Sequence, residues 1–256
     1  MNPRIALITV SLAALVLSGC ASTNAPKADP LEGINRATFA FNDTVDAAVL
    51  KPVAKGYQAI TPQFVRSGVN NLFTNVGDVA GAVNSLLQGK PTQAASNAGR
   101  FLVNSTLGIL GLFDVATPMG LEKYNEDFGQ TLGTWGVGTG PYLVIPFMGP
   151  STLRDVSGRG VDSYLGWARQ VDHVPTRNSA YGVEIIDVRA NLLGAGQALE
   201  EAALDKYQFL RDAYLQRRLR AVYDGKAPQE KLDQLEENLE PPRSAAPAKT
   251  EPSAKK

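Results

Sequence analysis

Apolar residues recur every three to four positions in several parts of this chain, which is the spacing of helices with one apolar face. The first such run follows Asp29 and Pro30, where Asp29 is suited to cap a helix and Pro30 to begin it. Pro52 follows the run and is expected to end it. The run comprises Ile34, Thr38, Phe41, Val45, Ala48 and Val49.

Five later segments have the same spacing. Residues 64–88 predict a long helix, and Thr92 is expected to cap the next one, which runs to about residue 107. Helices are also predicted over residues 152–170, 181–193 and 200–223. The apolar stripe of the long helix comprises Val65, Val69, Leu72, Val76, Val79 and Val83, and that of its successor comprises Ala94, Ala98, Phe101 and Leu102.

The central segment lacks this regular spacing. Residues 128–153 contain no charge, and at 26 residues they are long enough to span a bilayer. Six glycines and three prolines interrupt them, so a continuous helix is excluded. An irregular apolar segment is therefore expected, packed against protein or lining a cavity.

Residues 101–113 are also uncharged, and they are too short to span a membrane. Two structures fit them, a segment lying in a membrane interface or a buried helix. Their periodicity favours the buried helix.

The amino-terminal residues have the composition of a secretion signal. Arg4 gives a positive start, residues 5–16 are apolar but too short to span a bilayer, and Leu-Ser-Gly-Cys follows at residues 17–20. Those four residues resemble the lipobox, in which the cysteine carries diacylglycerol and, after cleavage, an N-acyl chain. We predict a signal peptide at residues 1–19, acylation of Cys20, and a polar tether to residue 28. In similar lipoproteins an Asp after the acylated cysteine signals retention in the inner membrane, so by this resemblance Ala21 favours sorting to the outer membrane.

Composition excludes several kinds of function. The 25 basic and 25 acidic residues balance, so no nucleic-acid surface is expected. His173 is the only histidine and Cys20 the only cysteine, which argues against a metal site and an internal disulfide. Asp-Phe-Gly at residues 127–129 resembles a kinase tripeptide but lacks the other kinase motifs. The glycines of residues 136–140 lack the strand and helix that flank a dinucleotide site. The chain also has no Gly-x-Ser-x-Gly elbow, which a hydrolase of that kind would need. We predict neither an enzyme nor a cofactor other than the lipid on Cys20.

Three blocks of sequence carry a resemblance to a known family. They follow the lipobox in order and lie within a predicted domain at residues 29–224, ahead of a tail at 225–256 that is expected to be disordered from 241. The blocks are Asp-Pro-Leu-Glu-Gly-Ile-Asn-Arg at 29–36 with Phe-Ala-Phe-Asn at 39–42, Gly-Arg-Phe-Leu-Val-Asn-Ser-Thr-Leu-Gly at 99–108 with Gly-Leu-Phe-Asp-Val-Ala at 111–116, and Glu-Asp-Phe-Gly-Gln-Thr-Leu-Gly at 126–133 through Thr-Leu-Arg-Asp at 152–155. In these residues the chain resembles the MlaA (VacJ) phospholipid-transport lipoproteins.

The resemblance implies an all-α, ring-shaped protein embedded in the inner leaflet of the outer membrane, on its periplasmic side. An amphipathic channel would remove phospholipid from the outer leaflet and pass it to a periplasmic carrier protein that feeds an inner-membrane ABC transporter. Association with a trimeric porin is also implied. The channel is expected to use close backbone approach at Gly133, Gly136, Gly138 and Gly140, and an apolar wall of Tyr142, Leu143, Val144, Ile145 and Phe147.

Three alternatives stay open at this point. Each of these nine residues could instead belong to an ordinary core, because facing cannot be assigned in an irregular segment. The whole chain could be a structural scaffold lipoprotein of the envelope. It could also be an envelope hydrolase, for which the sequence offers no complete motif.

Overall fold

The structure, a computed structural model, describes residues 26–240, apart from the side chain of Ala202. The expected all-α fold is confirmed. The predicted signal peptide, Cys20 and the tail beyond residue 240 lie outside the described residues. The helices are α1 (Glu32–Val45), α2 (Lys51–Ile60), α3 (Gln63–Leu87), α4 (Pro91–Thr106), α5 (Phe128–Thr134), α6 (Leu153–Leu165), α7 (Val174–Asn191), α8 (Leu193–Ala202), α9 (Lys206–Val222) and α10 (Gln229–Leu239).

The first predicted helix continues through Pro52, so the expectation that it ends there is wrong. α1 leads into one π-helical turn, Asp46–Leu50, and then directly into α2. An interior proline has no amide hydrogen and crowds the carbonyl four residues earlier. A π turn directly before Pro52 accommodates this defect within a continuous helix.

Asp29 does not cap α1, contrary to the expectation. The cap position is Leu31, and the buried carboxylate of Asp29 instead accepts hydrogen bonds from Asn35 Nδ2 at 2.8 Å and from the hydroxyl of Tyr207. A fully buried carboxylate requires several hydrogen-bond donors. One of its donors here, Tyr207, is distant in the sequence. Asp29 therefore ties the start of the chain to α9.

The other helices agree with their predictions to differing degrees. α3 and α4 are confirmed to within one residue at each end, but Thr92 is not a cap, because Pro91 already begins α4. The predicted helix over residues 200–223 is wrong at its start. Asp205 interrupts it by accepting from the amides of Tyr207 and Gln208, which caps α9 and separates it from α8. The segment predicted as helix over 152–170 is α6 followed by a 3₁₀ turn, Trp167–Gln170, and α7 begins seven residues before the predicted 181.

The central uncharged segment is more regular than expected. It begins with α5 and then forms an antiparallel hairpin of β1 (Tyr142–Ile145) and β2 (Gly149–Thr152), in which Tyr142 pairs with Thr152. Glycines allow α5 and α6 to approach closely, because a Cβ added to Gly158 would lie only 2.4 Å from the amide nitrogen of Gly129. Gly129 and Gly158 thus permit the two helices to pack closely.

Polar side chains fill much of the interior. In α3 the buried residues are Asn75, Asp78, Gly81, Asn84 and Ser85, and in α4 they are Ala94, Asn97, Arg100 and Asn104. The apolar stripes of both helices include well-exposed residues, among them Leu72 and Leu102. The two helices therefore pack through polar faces, which is the reverse of the arrangement usual in water-soluble proteins.

Residues 101–113 are not a buried helix, so the favoured expectation for them is wrong. After α4 ends they form a compact loop in which Ile109 and Leu110 take positive φ values of 53° and 59°. Asn104 holds the base of the loop by accepting from the amides of Val115 and Ala116 at 2.8 and 2.9 Å. This anchor leaves the apolar side chains of the loop outside, and Leu107, Ile109, Leu110 and Phe113 are each at least 59% exposed.

Among the described residues, no helix has the length and apolar character needed to cross a membrane.

The two ends of the described chain pack together. The amide of Ala28 donates to the carbonyl of Asn238 in α10, and the amide of Tyr142 donates to the carbonyl of Ala28. Leu239 is buried in one core with Tyr142, Tyr207 and Leu215. Packed chain therefore continues through α10, past the domain boundary at residue 224, which stays a prediction.

Candidate functional site

A cavity of about 440 Å³, called the main cavity below, lies among α1, the π turn, the hairpin, α7, α8 and α9. Its size falls within the range of small-ligand sites. The apolar wall is made by Phe39, Val144, Leu192, Leu199, Phe209 and Leu210. Charged side chains from the same elements also line it, namely Asp43, Asp46, Arg189, Glu200 and Lys206.

Two of the charged pairs at this cavity are closely bonded. Arg189 donates to both oxygens of Asp46, with distances of 2.5 and 2.7 Å, and this hydrogen bonding raises the pKa of Arg189 above its ordinary value. Lys51 Nζ lies 2.8 Å from Glu200 Oε1. These pairs join the π turn to α7 and the start of α2 to α8, so they fix the walls of the cavity.

The arrangement of the lining suits an amphiphile. Aliphatic and aromatic carbons provide a surface on which hydrocarbon chains can pack. Burial of apolar surface stabilises such packing by about 25 cal/mol for each Å² removed from water. The charged residues of the same cavity could meet a polar or ionic group without leaving a charge unpaired. Such a site binds and orients a molecule and requires no covalent chemistry.

Two asparagines of α1 hold the hairpin against the cavity. Asn35 donates to the carbonyl of Tyr142 and accepts from the amide of Val144, both at 2.9 Å. Asn42 donates to the carbonyl of Ile145 at 3.0 Å and accepts from the amide of Phe147 at 2.8 Å. Each amide side chain therefore bonds the strand much as a neighbouring strand would.

Replacing Asn42 with alanine should loosen the hairpin tip. The substitution removes two hydrogen bonds, each worth about 1 kcal/mol, so local opening should become easier by about 2 kcal/mol. Hydrogen exchange in a peptide covering residues 143–150 should accelerate roughly 10- to 30-fold. Thr44→Ala is a matched control, because Thr44 bonds only within its own helix. Unchanged exchange at the tip in Asn42→Ala would disprove the clamp.

A second polar cluster joins α9 to α5 and α6. Arg218 donates to Asp127 at 2.6 and 2.9 Å and to Asp155 at 2.9 and 2.8 Å, and Tyr214 donates to Asp155 at 2.8 Å. Burial alone would raise the pKa of both carboxyls, but the hydrogen bonds and charge of Arg218 outweigh burial and lower each pKa below its ordinary value. The cluster borders a cavity of about 490 Å³ that Arg159 and Arg217 also line.

A third cluster lies between α3, α4 and the following loop. Arg100 contacts Asp78 and Asp114, and Lys123 Nζ lies 2.8 Å from Asp78 Oδ1. Burial would raise the pKa of Asp114, yet hydrogen bonds from Thr117, Arg100 and Asn104 hold it at about 2.

No group of metal-ligating side chains occurs within the part of the chain that the structure describes. The polar interior thus consists of carboxylates paired with cations and amides.

The structure separates the nine predicted channel residues. Val144 lines the main cavity, whereas Gly140 lines a smaller one of about 300 Å³ between the two chain ends. Tyr142 lies in the core against Tyr207 and Tyr214. Leu143 and Ile145 alternate with Tyr142 and Val144 along β1, so they lie on its other face, where they are half-buried.

The remaining predicted residues lie away from the main cavity. Gly133 packs so closely that an added Cβ would lie 2.8 Å from Arg154 Nη1. Gly136 and Gly138 are exposed in the loop before the hairpin, and Phe147 stands at the hairpin tip, edge-on to Phe41. A channel role for these nine positions stays a prediction. The sequence analysis missed Asp46, Arg189, Lys206 and Phe209 because no local motif links residues on three separate elements.

The chain was compared with known families, curated proteins and solved structures. A family model described as "MlaA lipoprotein" matches residues 27–221. The intermembrane phospholipid transport system lipoprotein MlaA of Escherichia coli (strain K12) is 36% identical over 224 residues, covering 84% of this chain and 87% of that protein. Its namesake from Haemophilus influenzae is 34% identical, covering 86% of this chain and 91% of its own length.

A solved structure from work on the structural basis for maintenance of bacterial outer membrane lipid asymmetry also matches. Its TM-score is 0.68 at 36% identity, and the match covers 76% of this chain and 98% of that one. The sequence and structure comparisons therefore each match most of the chain.

Proposed function

The chain belongs to the MlaA lipoprotein family, and on that basis we propose that it works in intermembrane phospholipid transport and thereby maintains the lipid asymmetry of the outer membrane. It would take phospholipid from the outer leaflet and pass it towards the periplasm. The names of its relatives support this function. The family is one of transport lipoproteins and not a known enzyme family.

The amphipathic cavity is the observation on which a mechanism rests. Acyl chains would lie along Phe39, Val144 and Phe209, while the headgroup would meet the charged residues near Lys206. The lipid passes unchanged, so the residues need only lower the free energy of an amphiphile in transit. The fixed pair of Arg189 and Asp46 would hold the wall in place.

The outward apolar side chains support a position within a lipid leaflet. Large hydrophobic side chains are exposed at Ile60 and Phe64, in the loop at 107–113, and at Val183 and Ile185 of α7. Large exposed apolar patches indicate contact with membrane or protein, and this number of exposed hydrophobics favours such contact. We propose that the body lies in the inner leaflet of the outer membrane, anchored by acyl chains on Cys20.

The proposed pathway includes three partners. A trimeric porin would border the body in the membrane, a soluble periplasmic carrier would receive the lipid, and an inner-membrane ABC transporter would take it from the carrier. Each follows from the family resemblance.

Removing the protein from its native cell should raise phospholipid in the outer leaflet. The physical reason is that lipid mislocalised there would lose its route through the cavity. Labelling of outer-leaflet phospholipid with a membrane-impermeant reagent measures this, and expression of the wild-type chain should restore the original level. A deletion strain with unchanged outer-leaflet lipid but altered assembly of other envelope proteins would favour the scaffold alternative.

Cys20→Ser should leave an unprocessed, mislocalised precursor, because serine cannot form the thioether that anchors the chain. A single acyl chain binds a membrane only marginally, whereas two or three give stable attachment. Mass spectrometry of the mature amino end of the wild type should find an acylated Cys20. Cleavage at another position, or an unmodified Cys20, would contradict the lipoprotein assignment, and Ser22→Ala in the tether serves as the control.

A further inference from the structure

One pair of opposite charges at the main cavity is held much more loosely than the others. Lys206 Nζ lies 3.8 Å from Asp43 Oδ1 and 3.9 Å from Glu200 Oε1, and both distances exceed hydrogen-bond length. Glu200 already bonds Lys51 at 2.8 Å. Asp43 and Lys206 therefore face each other across a gap, without a closer ionic partner among the described residues.

Both members of this pair are accessible from the cavity. Their side chains are 50% and 36% exposed, and both belong to the lining. A solvent-exposed ion pair at this distance contributes little to stability, at most about 1 kcal/mol. The pair can therefore open at little cost if a ligand offers each charge a better partner.

We propose that Lys206 and Asp43 together recognise a zwitterionic headgroup that carries a primary ammonium, that of phosphatidylethanolamine. Lys206 would donate to the phosphate and Asp43 would accept from the ammonium, so one stretched pair would be replaced by two charge-assisted hydrogen bonds. Phe209 and Leu210 follow Lys206 by three and four residues in α9, so they lie on the same side of this helix. The apolar wall that they form would receive the acyl chains. This assignment rests on the proposed function and names the lipid that the cavity takes best.

The charge of the lining disfavours other headgroups. Arg189 pairs with Asp46 and Lys51 pairs with Glu200, so the charges that remain for a headgroup are the cation Lys206 and the carboxylate Asp43. An anionic headgroup without an ammonium would bring its phosphate close to Asp43 and offer no cation to pair that carboxylate. A quaternary ammonium has no N–H group, so a choline headgroup cannot donate a hydrogen bond to Asp43.

The test measures which lipid the intact lipoprotein takes from vesicles. Acylated full-length protein, purified in detergent and stripped of lipid, is incubated with vesicles containing equal amounts of phosphatidylethanolamine, phosphatidylglycerol and phosphatidylcholine, each isotopically labelled. Lipids that stay bound are counted by mass spectrometry. The variants are Asp43→Asn and Lys206→Gln, with Asp172→Asn and Lys55→Gln as controls that remove the same charges outside the cavity lining.

The wild type and both controls should favour phosphatidylethanolamine over phosphatidylglycerol by about tenfold, the worth of one charge-assisted hydrogen bond. Asp43→Asn should abolish that preference while the amount of bound lipid stays similar. Lys206→Gln should lower the binding of all three lipids.

Equal binding of the lipids by the wild type, or an Asp43→Asn variant with an unchanged preference, would overturn the headgroup assignment alone. Failure of the wild type to bind any labelled lipid would count against the proposed function itself.

Discussion

Replacing Arg218 with methionine is expected to destabilise the protein by about 3 kcal/mol, because it leaves two carboxylates without their shared cation. Arg218 makes four hydrogen bonds to Asp127 and Asp155, and its side chain is only 13% exposed. The cluster fixes α9, the helix that carries Lys206 and Phe209, against α5 and α6. Thermal unfolding of the full chain in detergent measures the loss. Arg217→Met, at the exposed neighbouring position, should have little effect.

The same cluster predicts how stability changes with pH. The pKa values of Asp127 and Asp155 are lowered in the folded state, so their contribution is fully present above the ordinary carboxyl pKa of about 4 and is lost as pH falls through the lower folded values. Arg218 is the largest cause that lowers both pKa values, so without it both carboxyls take up protons at a higher pH than in the wild type. The deficit of Arg218→Met should therefore be largest near pH 7 and shrink towards pH 4.

One result would contradict this account of the cluster, namely a deficit in Arg218→Met that does not depend on pH.

Phe209→Asp is expected to block lipid passage while the fold stays intact. Phe209 lines the cavity and is about half exposed, so its replacement removes little core packing. An unpaired carboxylate in the path of an acyl chain costs several kcal/mol to desolvate, and each 1.4 kcal/mol slows passage about tenfold, so passage should fall at least about 100-fold. Outer-leaflet phospholipid should then rise to the level of the deletion strain.

Two control variants distinguish the effect of the added charge from the effect of its position. Gln208→Asp places the same charge on the adjacent residue, which is exposed and lies outside the cavity lining, and Phe209→Leu keeps the wall apolar. Both should preserve lipid asymmetry. Abundant, correctly located Phe209→Asp protein that also preserves asymmetry would show that this cavity does not carry the lipid.

Local sequence patterns were sufficient for the helices that begin and end at strong signals. α3 and α4 are confirmed because glycine and proline separate them at residues 89 and 91. Local signals failed where a distant residue competed for the same group. Asp29 offered a helix cap, but Asn35 and Tyr207 took its carboxylate instead. Pro52 offered a stop, but a π turn accommodated it.

Periodicity also could not decide which way a helix faces. The valine stripe of α3 was visible in the sequence, yet the structure buries Asn75, Asp78 and Asn84 on its inner face. A stripe of period 3.6 shows only that one face is apolar. Whether that face meets a protein core or lies outside depends on what packs against the opposite, polar face.

The sequence was sufficient to predict the helical class and the family, because each depends on residues that are close together in the chain, and the lipoprotein signal stays a prediction. Only the tertiary structure decided that the polar faces turn inward, that the loop at 107–113 stands outside, and that Asp43, Val144, Arg189 and Lys206 line one cavity. Those residues come from different elements, and no local preference specifies their distances. Pairing of partly buried charges across helices, such as that of Arg189 with Asp46, sets that geometry.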